Sequence, residues 1–114
     1  MSVDCIFCKI VAGSIPAKRV YEDDLCLCIA DLHPQAPTHL LIIPKEHIVS
    51  QAHAGKEHAP LLGHMLAKAA EVARGAGLNG GYRVVINTGP DGGQTVDHLH
   101  LHLLGGRHMT WPPG

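Results

Sequence analysis

His98-Leu99-His100-Leu101-His102-Leu103 alternates without a break. Successive side chains of an extended segment point to opposite faces, so the run predicts three imidazoles on one face and three leucines on the other. Imidazole changes protonation near neutral pH, and a row of such rings can supply a nucleophile, a proton carrier and a neutral metal ligand together. A terminal tag is a homopolymer, whereas these rings lie inside a β-like segment that runs on into Leu104-Gly105-Gly106. Polar rings packed beside an apolar strand face need partners, which favours a functional reading over a weak metal-binding patch.

The surrounding chain bounds what such a row can serve. With 114 residues the sequence (1–114) fits one domain with a genuine core. A net charge of −1 from mixed signs gives no basic stripe, so nucleic acid is not expected as a partner. The longest apolar run, Leu40-Leu41-Ile42-Ile43, is far too short to span a membrane, and the first residues lack the pattern of a secretory leader. No membrane partner and a cytoplasmic location are therefore expected. Cys5 and Cys8 form a CxxC pair and Cys26 and Cys28 lie two apart in a strand-like run, which suits reduced thiols or a metal better than disulfides.

Periodicity orders the elements. Cys5 to Val11 reads as a short helix ended by Gly13, and Pro16 precedes an extended Val20-Tyr21-Glu22. Leu25 to Ala30 and His39 to Ile43 are strand candidates on either side of a stiff Pro34-Gln35-Ala36-Pro37 loop. From Lys56 to Arg74, Leu62, Met65, Leu66, Ala69, Val72 and Ala73 recur at helical spacing, closed by Gly75 or Gly77. Tyr82 to Asn87 and Val96 to Leu104 read as a hairpin across Gly89-Pro90-Asp91-Gly92-Gly93. The expected fold class is α+β: a mainly antiparallel five-stranded sheet with one long helix on one face, a short N-terminal helix, and the histidines on the other face. Five strands and one main helix leave apolar surface to cover, so a homodimer is expected. Trp111 in the closing segment predicts a tail that packs somewhere.

At His98-x-His100-x-His102 followed by Leu103-Leu104, the sequence resembles the histidine triad (HIT) family, whose signature alternates three histidines with apolar residues. The resemblance extends through Ile15-Pro16-Ala17-Lys18, Tyr21-Glu22-Asp23-Asp24, Asp31, Pro34-Gln35-Ala36-Pro37-Thr38-His39 and Ile43-Pro44-Lys45. It continues in Asp91-Gly92-Gly93-Gln94 and in Gly105-Gly106-Arg107 through Trp111-Pro112-Pro113-Gly114, so that the Hint branch is indicated specifically. The resemblance implies a HIT-like fold and a homodimer whose two sheets join into one. It also implies a purine nucleoside phosphoramidase activity that splits P–N bonds of compounds such as AMP-lysine or adenosine phosphoramidate.

By the same resemblance, His100 is the catalytic nucleophile that becomes a nucleotidyl-imidazole, His102 helps bind the phosphate and handle the proton, and His39 lines the pocket beside them. His98 completes the triad. Asp31 takes the ribose hydroxyls with Leu32 beside it, and Asn87, Gly93, Gln94 and Thr95 contact the phosphate or the leaving group. Without the resemblance, His39 reads as a loop-end residue, Asp31 as a solvated acid, and the Gly-rich segment as a turn. That turn also exposes backbone N–H groups to which a phosphate could bind. Thr95 stands where the Hint branch often has serine, and Asp97 where it tends to carry an aromatic residue.

Cys5-x-x-Cys8 departs from animal Hint proteins and resembles bacterial histidine triad proteins and hexose-phosphate uridylyltransferases. There two cysteines and two histidines hold a structural zinc, which would make Cys5, Cys8, His47 and His98 the ligands here, with chemistry that needs no metal. The other reading of the pair is two thiols at the start of a short helix; a redox CxxC lacks its preceding strand. The other functions weighed are a dinucleoside polyphosphate hydrolase or nucleotidyltransferase on the same nucleophile, and a non-catalytic nucleotide-binding sensor. The tail from Met109 to Gly114 argues against the first, and the intact triad against the second.

Overall fold

The computed structural model describes residues 4–114. Five strands, β1 (Arg19–Glu22), β2 (Cys26–Ala30), β3 (Thr38–Pro44), β4 (Tyr82–Val85) and β5 (Leu101–Gly105), form one antiparallel sheet in the order β1-β2-β3-β5-β4. A short helix, α1 (Ile6–Val11), precedes the sheet, and the long helix, α2 (Ala59–Gly75), lies between β3 and β4. The α+β class, the antiparallel sheet and both helices are as the sequence predicts.

The continuous apolar run of β3 explains its central place. Leu40 and Ile42 face α2 with Cys26, Cys28, Leu101 and Leu103, and meet Met65, Ala69 and Ala73 of the helix. Leu41 and Ile43 face the other way with Leu27 and Ile29, under Phe7 and Ile10 of α1. A strand covered on both faces needs no polar alternate, hence the unbroken run. His39 and Leu41 on β3 and His102 on β5 share the α1 side, because β3 pairs Leu41 with His102.

Two differences from the sequence reading have clear causes. The helical face predicted Leu66 as core, yet Leu66 is 48% exposed. The helix rests on Met65, Ala69 and Ala73, and Leu66 lies at the edge of that stripe, beyond the core. Lys56–His58 forms a separate 3-10 turn before the helix proper opens at Ala59 with Pro60 in its first turn, and Gly77 at φ 75° follows its end.

The predicted hairpin is the larger difference. β4 and β5 do pair, but residues 86–100 form a long irregular connection, and His98 and His100 lie before the first ladder residue, Leu101. Long-range bonds hold this segment away from β4: the Leu99 N–H donates to the Ile48 carbonyl (2.6 Å), and the Gln94 carboxamide donates to the Val49 carbonyl (2.7 Å), with a local bond to the Val96 carbonyl (2.9 Å) beside it. The Gln94 side-chain oxygen accepts from the Gly89 N–H (3.0 Å), closing the turn. A methyl at Gly92 would strike the Thr88 backbone, so the turn is as tight as glycine permits.

The β1–β2 turn is fastened to α2 through Asp23. One carboxylate oxygen accepts from the Leu25 and Cys26 N–H groups (both 2.8 Å), and the other from the Tyr21 hydroxyl (2.7 Å) and His64 Nε2 (2.6 Å). Partial burial works to raise its pKa, but the four donors outweigh it and hold the carboxyl well below the usual range. Behind this turn, burial pushes the Cys26 thiol up to about 12 and the Cys28 thiol up to about 11.

Leu103 is fully buried at the junction of sheet and α2. Leu103→Ala should cost about 2–5 kcal/mol of unfolding free energy, the range for a large-to-small core change. Urea denaturation measures it, and a loss under about 1 kcal/mol would show that the site is less tightly packed than described.

Candidate active site and metal centre

The histidine row leads into two neighbouring sites. His98 is fully buried, and its Nε2 lies 2.9 Å from the Pro44 carbonyl. That acceptor requires the ring proton on Nε2 and leaves Nδ1 bare. Bare Nδ1 points at Cys5 Sγ (3.2 Å), Cys8 Sγ (3.6 Å) and His47 Nδ1 (3.1 Å), and His47 Nδ1 lies 3.3 Å from Cys8 Sγ. Burial lowers the pKa of His98, which keeps the ring in the neutral form that a metal ion takes.

This cluster passes a simple geometric test. Zinc bonds of about 2.3 Å to sulfur and about 2.0–2.1 Å to nitrogen give ligand-to-ligand edges of about 3.3–3.8 Å in a tetrahedron. The four ligand atoms of Cys5, Cys8, His47 and His98 all lie within 4.8 Å of one another, with the closest separations near those edges. A ring nitrogen tied to a backbone carbonyl is also the usual outer support of a metal-bound histidine. The set therefore fits a closed, structural zinc site. Two other clusters among the described residues fit less well. Asp23, Cys26 and His64 include a thiol that resists ionisation, and Asp31, His39 and His102 are already engaged with one another.

Beyond His98 the row enters a cavity of about 430 Å³, within the range of about 300–1,000 Å³ usual for small-molecule sites. His100 Nδ1 donates to the His98 carbonyl (2.7 Å), so Nε2 carries the free lone pair, and the ring lines the cavity. The His102 ring lies 5.0 Å from it, centroid to centroid. The protons of the next pair are assigned by a chain of bonds. The Gln35 N–H donates to His39 Nδ1 (3.0 Å), so His39 is protonated on Nε2 and donates to His102 Nδ1 (2.9 Å). Asp31, 3.4 Å from His39 Nε2, supports that tautomer. Neutral His102 then holds its proton on Nε2. Burial, with the charges of His100 and His39 adding to it and Asp31 opposing, pushes the His102 pKa down to about 4.

The cavity has a polar end formed by His100, His102 and Asp31 and apolar walls that include Phe7, Ile10, Ile15 and Ile29. Such an arrangement can hold a flat apolar ring on the walls, present a diol to Asp31 and bring a lone pair and an N–H donor to one tetrahedral centre. Of the predicted nucleotide contacts, Asp31, Leu32 and Thr95 line this cavity, with Leu32 88% exposed at its lip. Asn87, Gly93 and Gln94 are not part of its wall. The Gln94 carboxamide is used at both ends to brace the turn, and the Gly93 N–H donates to the Pro90 carbonyl (3.1 Å).

Histidine spacing does not lead to Phe7, the one phenylalanine of the chain. Its ring stands edge-on to both His98 (5.8 Å, 82°) and His100 (5.1 Å, 77°). Its position inside Cys5-Ile6-Phe7-Cys8 is the one sequence signal that ties it to the site.

The family described as "Scavenger mRNA decapping enzyme C-term binding" matches residues 4–111. An uncharacterised HIT-like protein of Synechococcus elongatus is 59% identical over 114 residues, the full length of both chains. A "14 kDa zinc-binding protein" of Zea mays is 53% identical over 111 residues, covering 96% of this chain and 87% of that one. The crystal structure of a HIT family hydrolase from Legionella pneumophila Philadelphia 1 superposes with a TM-score of 0.96 at 53% identity, covering 97% of this chain and all of that one.

Nitrogen-15 NMR of the histidine rings tests the assigned protonation. His102 should remain neutral and protonated on Nε2 as pH falls from 7 to 5, then gain its second proton near 4. Its folded pKa lies below the unfolded value of about 6.5, so between those values the unfolded chain binds more protons. This residue's contribution therefore makes stability fall as pH drops from about 6.5 toward 4. A ring titrating near 6.5 would overturn the assignment.

Proposed function

Because the chain belongs to the histidine triad family, we propose that it is a hydrolase of the Hint branch, a purine nucleoside phosphoramidase working through a covalent nucleotidyl-histidine. The observation that carries this reading is the bond from His100 Nδ1 to the His98 carbonyl, which leaves Nε2 unprotonated at the cavity beside His102.

In the first step the Nε2 lone pair of His100 bonds to phosphorus as the P–N bond breaks. The departing amine takes a proton at its nitrogen. His102, neutral and protonated on Nε2, donates to a phosphoryl oxygen or passes its proton to that nitrogen as solvent water replaces it, and the His39 Nε2 donor holds His102 in that tautomer. In the second step water attacks the nucleotidyl-imidazole, releasing nucleoside monophosphate and regenerating His100. Dividing one displacement into two lowers each barrier. Asp31 accepts from the ribose hydroxyls, Leu32 covers the sugar, the apolar walls stack on the purine, and Thr95 reaches the phosphate. Asn87, Gly93 and Gln94 contact the phosphate or the leaving group from the adjoining turn, which the bonds of Gln94 and Gly93 brace.

Cys5, Cys8, His47 and His98 would hold zinc, which ties α1 to the start of the histidine row; no step of the reaction passes through it. A cytoplasmic setting would keep both thiols available as ligands. The homodimer reading has support from the free edge of β4 and from the apolar groups left in water, Trp111 (82% exposed), Tyr82 and Leu66.

Rapid mixing with adenosine phosphoramidate followed by intact-mass analysis should reveal a transient adenylyl adduct on wild type. His100→Ala should give no adduct and lose at least about 10³-fold in turnover while nucleotide still binds, since the bond-forming atom alone is gone. Turnover retained in that variant would refute the assignment. Native mass spectrometry of protein prepared without chelators should find twice the chain mass with one zinc per chain. A metal-free monomer of full activity would overturn both the zinc and the dimer readings.

A further inference from the structure

The metal cluster and the proposed nucleophile are joined by two short routes that share α1 and His98. His98 is fully buried and is held at three points: Nδ1 faces Cys5, Cys8 and His47, Nε2 meets the Pro44 carbonyl, and the main-chain carbonyl accepts from His100 Nδ1. The ring that faces Cys5 and Cys8 and the carbonyl that sets the His100 tautomer thus belong to one residue, only two side-chain torsions apart. The second route is Phe7, whose ring presses edge-on against both imidazoles.

The helix that carries Phe7 is only six residues long, too short to hold itself together in water. Its N-cap is the Cys5 sulfur, which accepts from the Cys8 N–H at 3.3 Å, so the same two sulfurs face the cluster and close the first turn of the helix. The four ligand groups meet with two imidazole Nδ1 atoms 3.1 Å apart. One of them is bare by virtue of Pro44, and a divalent ion would bind both rings at once.

We propose that filling the Cys5–Cys8–His47–His98 site orients His100, and that Phe7 is the positioning residue that transmits the order of α1 to that ring. This rests on the reading of His100 as the nucleophile. A thiophilic divalent ion of zinc type, remote from the reacting phosphorus, thereby controls the turnover of metal-free chemistry. Phe7 acts on catalysis by constraining His100, in addition to forming part of the apolar wall.

The test compares ring nitrogen-15 NMR of the full chain loaded with zinc, stripped with a chelator and reloaded, together with zinc-loaded Phe7→Leu. In loaded wild type His100 should give one tautomer, protonated on Nδ1. Stripping should convert it to a mixture of tautomers, with kcat lower by about ten- to a hundredfold and KM within about threefold, and zinc should restore both. Phe7→Leu should keep one zinc per chain and a folded circular dichroism spectrum, yet give the mixed His100 signal and the lowered kcat. Should stripping unfold the chain, the Phe7→Leu arm decides alone. Unchanged His100 signals and kcat in folded, metal-free protein or in zinc-loaded Phe7→Leu would overturn the proposal. The ring signals do not depend on which residue attacks phosphorus, so absence of an adenylyl adduct would refute the reading beneath it separately.

Discussion

An imidazole removed entirely from water must find a partner for each ring nitrogen, and at His98 that requirement organises the site around it. The Pro44 carbonyl, at the end of the central strand, takes the proton-bearing nitrogen. The other nitrogen is turned to two sulfurs and a second imidazole. With the ring fixed at both ends, the His98 carbonyl has one direction to face, and His100 receives its tautomer from it. The path runs from the sheet core through a cluster of sulfur and nitrogen donors to a free ring nitrogen at the cavity.

Three rings from one alternating run thereby acquire three chemical characters through their neighbours. His98 is neutral through burial and suited to metal. His100 keeps a free lone pair because its other nitrogen is occupied. His102 is neutral and protonated on the opposite nitrogen, because His39 donates to it and burial disfavours a second proton. The Gln35 N–H sets the His39 tautomer, so a backbone group in the proline-flanked loop reaches the proton on His102 through two bonds. A ring bare on Nε2 and a ring protonated there stand side by side because their hydrogen-bond partners assign the protons.

The sheet is legible from the sequence where local pattern and tertiary demand agree: the apolar run of β3, the Gly77 stop of α2 and the common side of the triad. Legibility fails where partners far apart in sequence decide the outcome. Strong turn formers at Gly89 to Gly93 predict a hairpin, but contacts with Ile48, Val49 and Pro44 keep residues 86–100 out of the ladder. Leu66 has helical spacing but not the core, since spacing does not reveal which part of the apolar stripe the sheet covers. In the site, spacing points to Cys5, Cys8 and the triad, and family likeness adds His39, His47 and Asp31. Phe7 escapes because a single aromatic between two cysteines has no period. The bracing role of Gln94 escapes because an amide reads the same whether it faces a ligand or the backbone.

The four thiols also divide into two chemical populations. Cys26 and Cys28 sit between the sheet and α2, where ionisation is strongly disfavoured, whereas Cys5 and Cys8 belong to a cluster of nitrogen and sulfur donors. Alkylating reagents attack the thiolate. Cys26 and Cys28 are therefore silent toward such reagents until the sheet and helix separate, whereas Cys5 and Cys8 belong to the layer under α1 on the other side of the sheet. Labelling of Cys26 and Cys28 over time thus clocks the parting of α2 from the sheet, a clock built into the core itself.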